Sequence, residues 1–365
     1  MLRGLSDAEK RAYVLADNKI AELAGYDQSA LADELSNLSA ALISEGLDLN
    51  LTGFEIGEID ALIANFADPP GGPDDVDRPV KMPSRPVTRR GDVWLLGRKH
   101  RLICGDARHI SYTEIMKGEC AAMLLADAPY NLNVAKVGGR GRTKHRNFCM
   151  ASGEMSPDEF TTFLVDAFSP AVPHLAKGAL CYIFMDWRHQ REALDAGERV
   201  FGGELKALIV WVKTNPGQGS FYRSQHELIY VFKNGEVPHV NNVELGRFGR
   251  NRSNVWTYPG VNSFGSGRMA NLVAHPTSKP VQLVADAIRD CTRRSDIILD
   301  PFTGAGTTIL AAERVGRRGF GVEIDPLYVD TAIRRWITTY KSDVVLEGSM
   351  QTFEDVAADR AEVTS

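Results

Sequence analysis

The chain has 365 residues, a net charge of −5, and 44% hydrophobic and 24% charged residues. These values are ordinary for a globular protein and exclude a wholly disordered, collagen-like or disulfide-dense chain. At roughly 150 residues per domain, the length predicts about two domains. The five cysteines show no paired C-x-x-C spacing, so we expect reduced thiols and no metal site. The chain has no apolar run near the ~18 residues of a membrane span and no apolar signal core, which together predict a cytoplasmic protein.

Charge is distributed unevenly along the chain. Residues 1–78 hold 16 acidic and 5 basic residues, whereas residues 79–365 hold 31 acidic and 37 basic residues. A mildly basic larger part suits a polyanionic partner. The charge balance alone does not identify that partner.

The N-terminal part of the chain has the pattern of helices. Helices are predicted over residues 6–25, 29–44 and 56–66, from a capping-box spacing at Ser6 and Glu9 and from leucines at helical intervals. Residues 67–86 contain six prolines and two glycines, which predicts a semi-extended linker. We therefore expect a helical segment over residues 1–66 and a domain boundary at the linker.

After the linker, short apolar strands alternate with helical stretches. Strands are predicted over residues 101–104, 122–126, 178–185, 205–212, 227–232, 297–299 and 319–322. Helices are predicted over residues 157–175, 279–292, 307–315 and 328–341. This alternation predicts an α/β fold with a mostly parallel sheet covered by helices. Two strands joined without a helix, 205–212 and 227–232, predict an antiparallel hairpin at one edge.

A glycine-containing turn lies between a strand and a helix near residue 304. Gly304 and Gly306 allow a sharp turn and a close approach of a ligand to the helix start. Glu323 closes the next strand, where a carboxylate meets ribose hydroxyls in nucleoside-binding folds. Ile309 stands in place of the third glycine of a dinucleotide fingerprint, so a ligand with adenosine and no phosphate fits better. A purely structural turn is the alternative.

The sequence Asp127-Ala128-Pro129-Tyr130 directly follows an apolar strand. Ligands of open α/β sheets bind beyond the carboxyl ends of strands. A carboxylate and a neighbouring main-chain carbonyl can accept both protons of an exocyclic amine, and a tyrosine ring offers a stacking face. The alternative is a plain strand-end turn, because Asp and Pro are common there. A further motif, HPTSKP (residues 275–280), precedes a helix and suits either a ligand loop or a capped loop.

Two basic stretches without acidic residues are candidates for DNA contacts. A solvated basic surface is the alternative for both. The first, within residues 131–153, contains Lys136, Arg140, Arg142, Lys144 and Arg146, and the second, within residues 245–279, contains Arg247, Arg250, Arg252 and Arg268.

Four motifs occur in a characteristic order: DAPY, the R-x-x-H-E segment ending at Glu227, HPTSKP and DPFTGAGTT. Together they resemble those of S-adenosylmethionine-dependent DNA amino-methyltransferases of the beta class, over residues 88–341. The resemblance implies a Rossmann-like methyltransferase domain over 87–345, a C-terminal tail over 346–365, and double-stranded DNA as the substrate. It favours adenine N6 as the methyl acceptor, because cytosine-N4 enzymes usually begin the first motif with Ser. Residues 1–66 separately resemble the helical tail that follows a ParB-like nuclease fold in phage methyltransferases.

The resemblance also implies roles for individual residues. Asp127, Ala128, Pro129 and Tyr130 would handle the target base. The cofactor S-adenosylmethionine would contact Asp106, Asp300, Phe302, Gly304, Gly306, Thr307 and Glu323, and the loop with Thr277 and Lys279 would close over its methionine end. The family has proline where this chain has Ala128, which keeps the carbonyl acceptor but lacks the fixed φ.

Several alternatives remain open from the sequence. Within the same family they are a cytosine-N4 methyltransferase and a DNA-binding homologue weakened in catalysis. Two alternatives lie outside the family. A protein-glutamine methyltransferase does not explain HPTSKP or the basic stretches, and a nicotinamide dehydrogenase would explain only the glycine turn. The resemblance leaves open a homodimer, as in many relatives, and a cognate restriction enzyme.

Overall fold

A computed structural model of the protein describes residues 5–20, 27–47, 49–67, 75–77, 80–132, 150–203, 205–217, 221–244, 251–260 and 279–362. These residues form two compact units. The unit that we call the helical unit takes the described residues within Met1–Gly72, Asn241–Arg252 and Arg289–Ser295. The sheet unit takes those within Pro73–Val240, Ser253–Ile288 and Asp296–Ser365.

Three helices build the helical unit: α1 (Asp7–Ile20), α2 (Gln28–Ser44) and α3 (Ile56–Ala67). The capping box predicted at the start of α1 is present, since the Ser6 amide donates to Glu9 at 2.7 Å and the Glu9 amide donates to the Ser6 hydroxyl at 3.2 Å. The leucines of α2 lie on its inner face, as the periodicity predicts, and Leu35, Leu38 and Leu42 are fully buried. Apolar packing of this face therefore holds the helices together.

The sheet unit is built on one large mixed sheet. Its strands within the described residues are β1 (Val93–Leu96), β2 (His100–Cys104), β3 (Ala121–Ala126), β4 (Leu175–Met185), β5 (Ala207–Lys213), β6 (His226–Lys233), β7 (Val255–Tyr258), β8 (Ile297–Asp300), β9 (Arg318–Glu323) and β10 (Val344–Leu346). They lie in the order β10-β1-β2-β9-β8-β3-β4-β6-β5-β7. The five strands from β2 to β4 are mutually parallel, whereas β1 and β6 run antiparallel to their neighbours. The α/β fold expected from the sequence is confirmed.

The predicted antiparallel hairpin is formed by β5 and β6, but it does not end the sheet. β6 pairs with β4, and β7 adds to β5 as a parallel edge strand. The short β7 was not predicted, because four residues carry little periodic signal and a strand of that length depends on its neighbour.

Helices of the sheet unit are α4 (Tyr112–Met116), α5 (Pro157–Phe168), α6 (Gln190–Phe201), α7 (Val281–Cys291), α8 (Thr307–Arg314), α9 (Pro326–Tyr340) and α10 (Phe353–Glu362). The last three residues of α7 belong to the helical unit. The helix predicted over 157–175 is α5 followed by six residues of 3-10 helix, Ser169–His174. Two prolines in that segment, Pro170 and Pro173, lack amide donors, so the α-helical pattern cannot continue through them. None of the described helices is both apolar and long enough for a transmembrane segment.

Close packing positions the helices on the sheet. Gly197 of α6 lies so near the ring of Phe232 that a Cβ at residue 197 would come within 2.1 Å of Cε2. Glycine therefore allows α6 to approach the sheet closely. Residues 346–365, expected as a tail, contain α10, whose Phe353 packs edge-on against Trp94 at 5.3 Å and whose Arg360 pairs with Asp92.

Candidate active site

The candidate functional residues lie along one edge of the sheet. The parallel strands β2, β9, β8, β3 and β4 all end there, and the antiparallel β6 begins there. Asp127 follows β3 and Asp300 ends β8, and these two strands are direct neighbours with Leu124 opposite Leu299. The turn near residue 127 and the glycine turn near residue 304 therefore meet at the same edge, as their positions after parallel strands imply.

A lysine-centred cluster of charges lies at this edge. Lys279 Nζ lies 2.7 Å from Asp127 Oδ1 and 3.1 Å from Glu227 Oε2, and it donates to the Tyr130 hydroxyl at 3.0 Å. The Tyr130 hydroxyl lies 3.0 Å from Asp127 Oδ1 and 2.9 Å from Glu227 Oε2. Glu227 Oε1 accepts a hydrogen bond from Lys213 Nζ at 2.5 Å. We call these five residues the catalytic cluster, after the role that we propose for them below.

Backbone structure fixes each member of the catalytic cluster. Lys213 ends β5, and Glu227 is the second residue of β6, so the hairpin register brings both to the edge. Lys279 precedes α7, whose first amide, that of Val281, donates to the carboxylate of Asp77 at 3.0 Å. That carboxylate satisfies a free amide at the helix start and so fixes where the helix begins.

Aromatic rings surround the Lys279 ammonium group, which is only 5% exposed. Its Nζ lies 5.2 Å from the ring centroids of both Tyr130 and Phe184, and 5.9 Å from that of Trp211. Ring faces attract cations, so the rings help to compensate the lost hydration of the lysine. The remaining compensation comes from the two carboxylates.

The charges in the catalytic cluster are unequally stabilised. Burial raises the pKa of Asp127 above its ordinary value, and the nearby Lys279 only partly offsets this effect. Burial also acts against the ionisation of Glu227, but Lys279 and Lys213 together lower its pKa to about 2. The pKa of Lys279 is raised, because Asp127 and Glu227 outweigh the effect of its burial. Lys279 and Glu227 are therefore the fixed ions, and Asp127 is the carboxyl group whose charge depends most on its surroundings.

Sequence reasoning assigned no function to two members of the catalytic cluster. Lys213 ends β5 next to the buried Trp211, and it pairs with Glu227. Glu227 was noted only as the end of the R-x-x-H-E motif. The sequence does contain a signal for Glu227, because it is an acidic residue at the start of an otherwise apolar strand. Such a residue has to lie at the sheet edge or be paired with a cation.

The glycine turn forms the second half of the site. Asp300 Oδ1 accepts from the Phe302 amide at 2.8 Å, and Asp300 Oδ2 accepts from the Thr308 hydroxyl at 2.5 Å. Glu323 Oε2 accepts from the Gly304 amide at 2.9 Å. Burial raises the pKa of both carboxyl groups, Asp300 and Glu323, to about 7. Buried carboxyl groups with raised pKa values cluster at functional sites, which favours a ligand site over a purely structural turn.

The remaining residues of this half are held by their neighbours. Phe302 packs against Phe163 and Phe168 at centroid distances of 6.2 Å each. The Thr307 hydroxyl accepts from Arg335 at 3.3 Å. Asp106 follows β2 and is paired with Arg108, whose nitrogens donate to both carboxylate oxygens.

A nucleoside-type ligand fits this half of the site. The Tyr112 hydroxyl is buried and has no hydrogen-bond partner among the described residues. The charges of Asp300 and Asp106 both act on it, so it lies near the two carboxylates to which the family resemblance gives a role in cofactor binding. A buried hydroxyl without a partner is costly unless a ligand satisfies it.

Replacing Gly306 tests whether the glycine turn needs a residue without a Cβ at this position. It has φ +83°, and a Cβ there would lie 2.8 Å from the Ala332 Cβ of α9. Gly118 has the same φ of +83° with nothing within 4 Å. We expect Gly118→Ala to cost about 1 kcal/mol from backbone strain alone, and Gly306→Ala to cost about 3 kcal/mol because overpacking is added. Urea denaturation measures both, and equal losses would contradict the clash.

The structure leaves part of the predicted site undescribed. Thr277 and the basic residues Lys136, Arg140, Arg142, Lys144, Arg146, Arg247, Arg250 and Arg268 lie outside the described residues. Arg252 belongs to the helical unit, where its Nε lies 2.7 Å from Asp290 Oδ2. Within the described part of the chain, no group of three or more His, Cys, Asp or Glu side chains could hold a metal ion.

Comparison with known proteins identifies relatives of both parts of the chain. Residues 121–334 match a family model described as DNA methylase, and residues 29–90 match one described as ParB-methyltransferase HTH domain. The type II methyltransferase M2.DpnII of Streptococcus pneumoniae is 28% identical over 255 residues, which cover 65% of this chain and 90% of that protein. The type II methyltransferase M.HpaI of Haemophilus parainfluenzae is 24% identical over 248 residues, covering 64% and 73% respectively.

A solved structure shares the fold. The PvuII DNA methyltransferase, described as cytosine-N4-specific, superposes with a TM-score of 0.50 at 14% identity, covering 77% of this chain and 94% of that one. At this identity the likeness concerns the fold alone. The DNA methylase model, in contrast, spans more than half of the sequence and includes the catalytic cluster and the glycine turn. The chain therefore belongs to the DNA methylase family.

Proposed function

We propose that this protein transfers a methyl group from S-adenosylmethionine to the N6 amino group of adenine at a specific sequence in double-stranded DNA. The observation that carries the proposal is the catalytic cluster beside the glycine turn: an amine acceptor at the end of β3 adjoins a nucleoside-type site at the end of β8. Membership of the DNA methylase family supports DNA as the substrate. The aspartate that begins the DAPY motif supports adenine over cytosine.

The proposed chemistry assigns separate tasks to the two halves of the site. Bound S-adenosylmethionine would supply an electrophilic methyl group on its sulfonium. The Glu323 carboxylate would accept the ribose hydroxyls, and Asp300 would fix the turn that contacts the methionine part. Asp106 would face the adenine ring of the cofactor.

The catalytic cluster would orient the target amine. A base inside a duplex has to be extruded before its amino group is accessible, at a cost of a few kcal/mol. Asp127 and the Ala128 carbonyl would each accept one N–H, which aims the nitrogen lone pair at the methyl group. The amine would lose its proton only as the N–C bond forms and the methyl group leaves the sulfonium. That proton would then pass along its hydrogen bond to the Asp127 carboxylate, which until that point acts as an orienting acceptor. Tyr130, whose hydroxyl is held by Lys279 and Glu227, would present a fixed ring for stacking.

The proposal is tested by identifying the methylated base. DNA from cells that express the chain would be digested to nucleosides, analysed by mass spectrometry, and sequenced at base resolution. We expect N6-methyladenine in one sequence context, absent from cells that express Asp127→Ala. N4-methylcytosine would instead support the second candidate function, a cytosine-N4 methyltransferase of the same family. Cofactor binding without either product would identify a DNA-binding homologue.

Glu323 predicts how cofactor affinity changes with pH. Burial raises its pKa to about 7 in the free protein, and ribose hydroxyls that donate to the carboxylate would stabilise the ionised form and lower that pKa. Binding would then release a proton below about pH 7, so affinity should rise between about pH 6 and about pH 8 and then level off. Calorimetry in buffers of different ionisation enthalpy measures the released proton.

Glu323→Gln is the control for that pH profile. The variant keeps the shape of the side chain but cannot ionise, so we expect weaker binding at high pH and a flatter profile. Any titration of the ligand itself would persist in the variant. An unchanged slope in Glu323→Gln would show that another group titrates.

The domain organisation is proposed along the same lines. We assign residues 1–66 to a helical segment of ParB-associated type, residues 67–86 to a linker and residues 87–345 to the methyltransferase domain. The match of residues 29–90 to the model described as ParB-methyltransferase HTH domain supports the first assignment.

A further inference from the structure

Two exposed aromatic side chains lie in the connection between β5 and β6. Phe221 is 84% exposed and Tyr222 is 82% exposed, the two highest values among the large apolar residues that the structure describes. Their ring centroids lie only 4.2 Å apart, at an interplanar angle of 53°. Two adjacent large rings in water lose the free energy that burial would provide, so they indicate a surface that is covered in use.

Hydrogen bonds join the described residues that precede and follow these rings in the connection. The Gly217 amide donates to the Ser224 carbonyl at 2.7 Å, and the Gln225 side chain donates to the Lys213 carbonyl at 2.8 Å. The Arg223 guanidinium donates to the carbonyls of Gly217 and Pro216 at 2.9 and 3.2 Å. Residues 213–217 and 223–225 of the connection are therefore joined to one another by hydrogen bonds next to the rings.

The same hairpin supplies two members of the catalytic cluster. Lys213 is the last residue of β5, and Glu227 follows Tyr222 by five positions at the start of β6. The ring pair thus projects from the sheet edge at which the target amine would be held. Its neighbour Arg223 adds positive charge, which suits a polyanion.

We propose that Phe221 and Tyr222 enter the DNA base stack beside the target and occupy the gap that the extruded nucleotide leaves. This inference rests on the proposed function, because it requires a DNA substrate with a flipped base. Aromatic rings stack on any base, so the pair stabilises the extruded state without reading sequence. The ring pair shifts the equilibrium from the paired to the extruded target base, and it leaves the methyl-transfer step itself unchanged.

The test measures single-turnover methyl transfer at saturating DNA, on a duplex that carries the sequence context found by base-resolution sequencing. For the double variant Phe221→Ala/Tyr222→Ala we expect a rate about 10- to 100-fold lower than that of the parent on a fully paired duplex. On a duplex whose target base is mismatched, extrusion is already favourable, so most of the rate should return. Tyr222→Phe keeps the stacking face and should recover most of the rate that Tyr222→Ala loses.

Val237→Ala is the matched control, because Val237 is an exposed apolar residue (49%) near the start of β4, at the opposite end of that strand from the site. It should leave the rate unchanged on both duplexes. An equal loss in the double variant on paired and mismatched DNA would overturn the proposal, since the rings would then act outside extrusion. No loss on either duplex would also overturn it and would assign the ring pair to a protein partner.

A second readout separates this inference from the proposed function. In a pool of duplexes in which 2-aminopurine replaces adenine at random, extrusion by the parent protein raises the fluorescence, and the double variant should abolish that rise. If the parent transferred no methyl group to any DNA, the proposed function would fail while the fluorescence still decided the role of the rings. Fluorescence that rises equally with parent and variant would refute the role.

Discussion

Asp127→Ala is expected to lower methyl transfer by about 10³-fold, the range found when one preorganised polar group is removed from an active site. The substitution removes the acceptor that would hold the amine, while Lys279 keeps its ion pair with Glu227 at 3.1 Å. Burial raises the pKa of Asp127, so the native fold gains little from its charge. The loss of activity should therefore come with a change in unfolding free energy below about 1 kcal/mol.

The position after the neighbouring strand offers a matched control. Asp186 follows β4 as Asp127 follows β3, but it accepts from Arg188 at 2.8 Å and caps the turn that begins at Trp187. Asp186→Asn keeps a capping oxygen and should leave transfer unchanged. Asp127→Asn keeps the shape and one acceptor oxygen without the charge, and we expect an intermediate loss. Full activity in Asp127→Asn would show that the negative charge is not required.

Calorimetry distinguishes this effect from lost cofactor binding. The glycine turn and its carboxylates lie on β8 and β9, so the affinity for S-adenosylmethionine should stay close to that of the parent in Asp127→Ala. A large loss of affinity would indicate that Asp127 supports the cofactor half of the site instead.

The sequence predicted the parts of the site that are continuous in the chain. A DAPY turn after an apolar strand and a glycine turn between strand and helix are local patterns, and the rule that parallel strands place their carboxyl ends together predicts that the two meet. The central strands were also recognised, because buried parallel strands are nearly continuous apolar runs.

The parts that the sequence did not predict depend on pairing between distant segments. β1 and β10 contain only four and three residues. Trp94 of β1 pairs with Leu346 of β10, although the two residues are 252 positions apart in the chain. Each is a strand because its partner supplies hydrogen bonds, not because its own propensity requires it. The catalytic cluster has the same origin, since Lys213 and Glu227 become functional neighbours of Lys279 only through the antiparallel register of β6.

Lys279→Met is expected to destabilise the fold by about 3 kcal/mol near pH 8, since it leaves two partly buried carboxylates without their shared cation. Asp127 and Glu227 are 23% and 14% exposed, so water screens the loss only partly. The family resemblance places Lys279 over the methionine end of the cofactor, whereas the described contacts of its Nζ are with the catalytic cluster. A loss of stability in the cofactor-free protein would establish the structural role separately from any contact with a ligand.

The pH dependence of this loss has a definite sign. In the parent, the pKa of Glu227 lies at about 2, below its ordinary value of 4.5, so its charge stabilises the fold above about pH 4.5 and this contribution is lost as the pH falls toward 2. Without Lys279, burial and mutual repulsion should raise the pKa of the carboxyl pair above the unfolded values. Protonation then favours the folded variant. The stability that Lys279→Met loses relative to the parent should therefore be smaller at about pH 5 than at about pH 8.

Lys213→Met is the matched control for that measurement. Lys213 also pairs with Glu227, but its side chain is 27% exposed, against 5% for Lys279. Its replacement should therefore cost about 1 kcal/mol, with a weaker dependence on pH. Urea denaturation of both variants at the two pH values decides the matter: if Lys279→Met and Lys213→Met lost the same stability, or if neither loss changed with pH, Lys279 would not be the cation that keeps the two carboxylates charged.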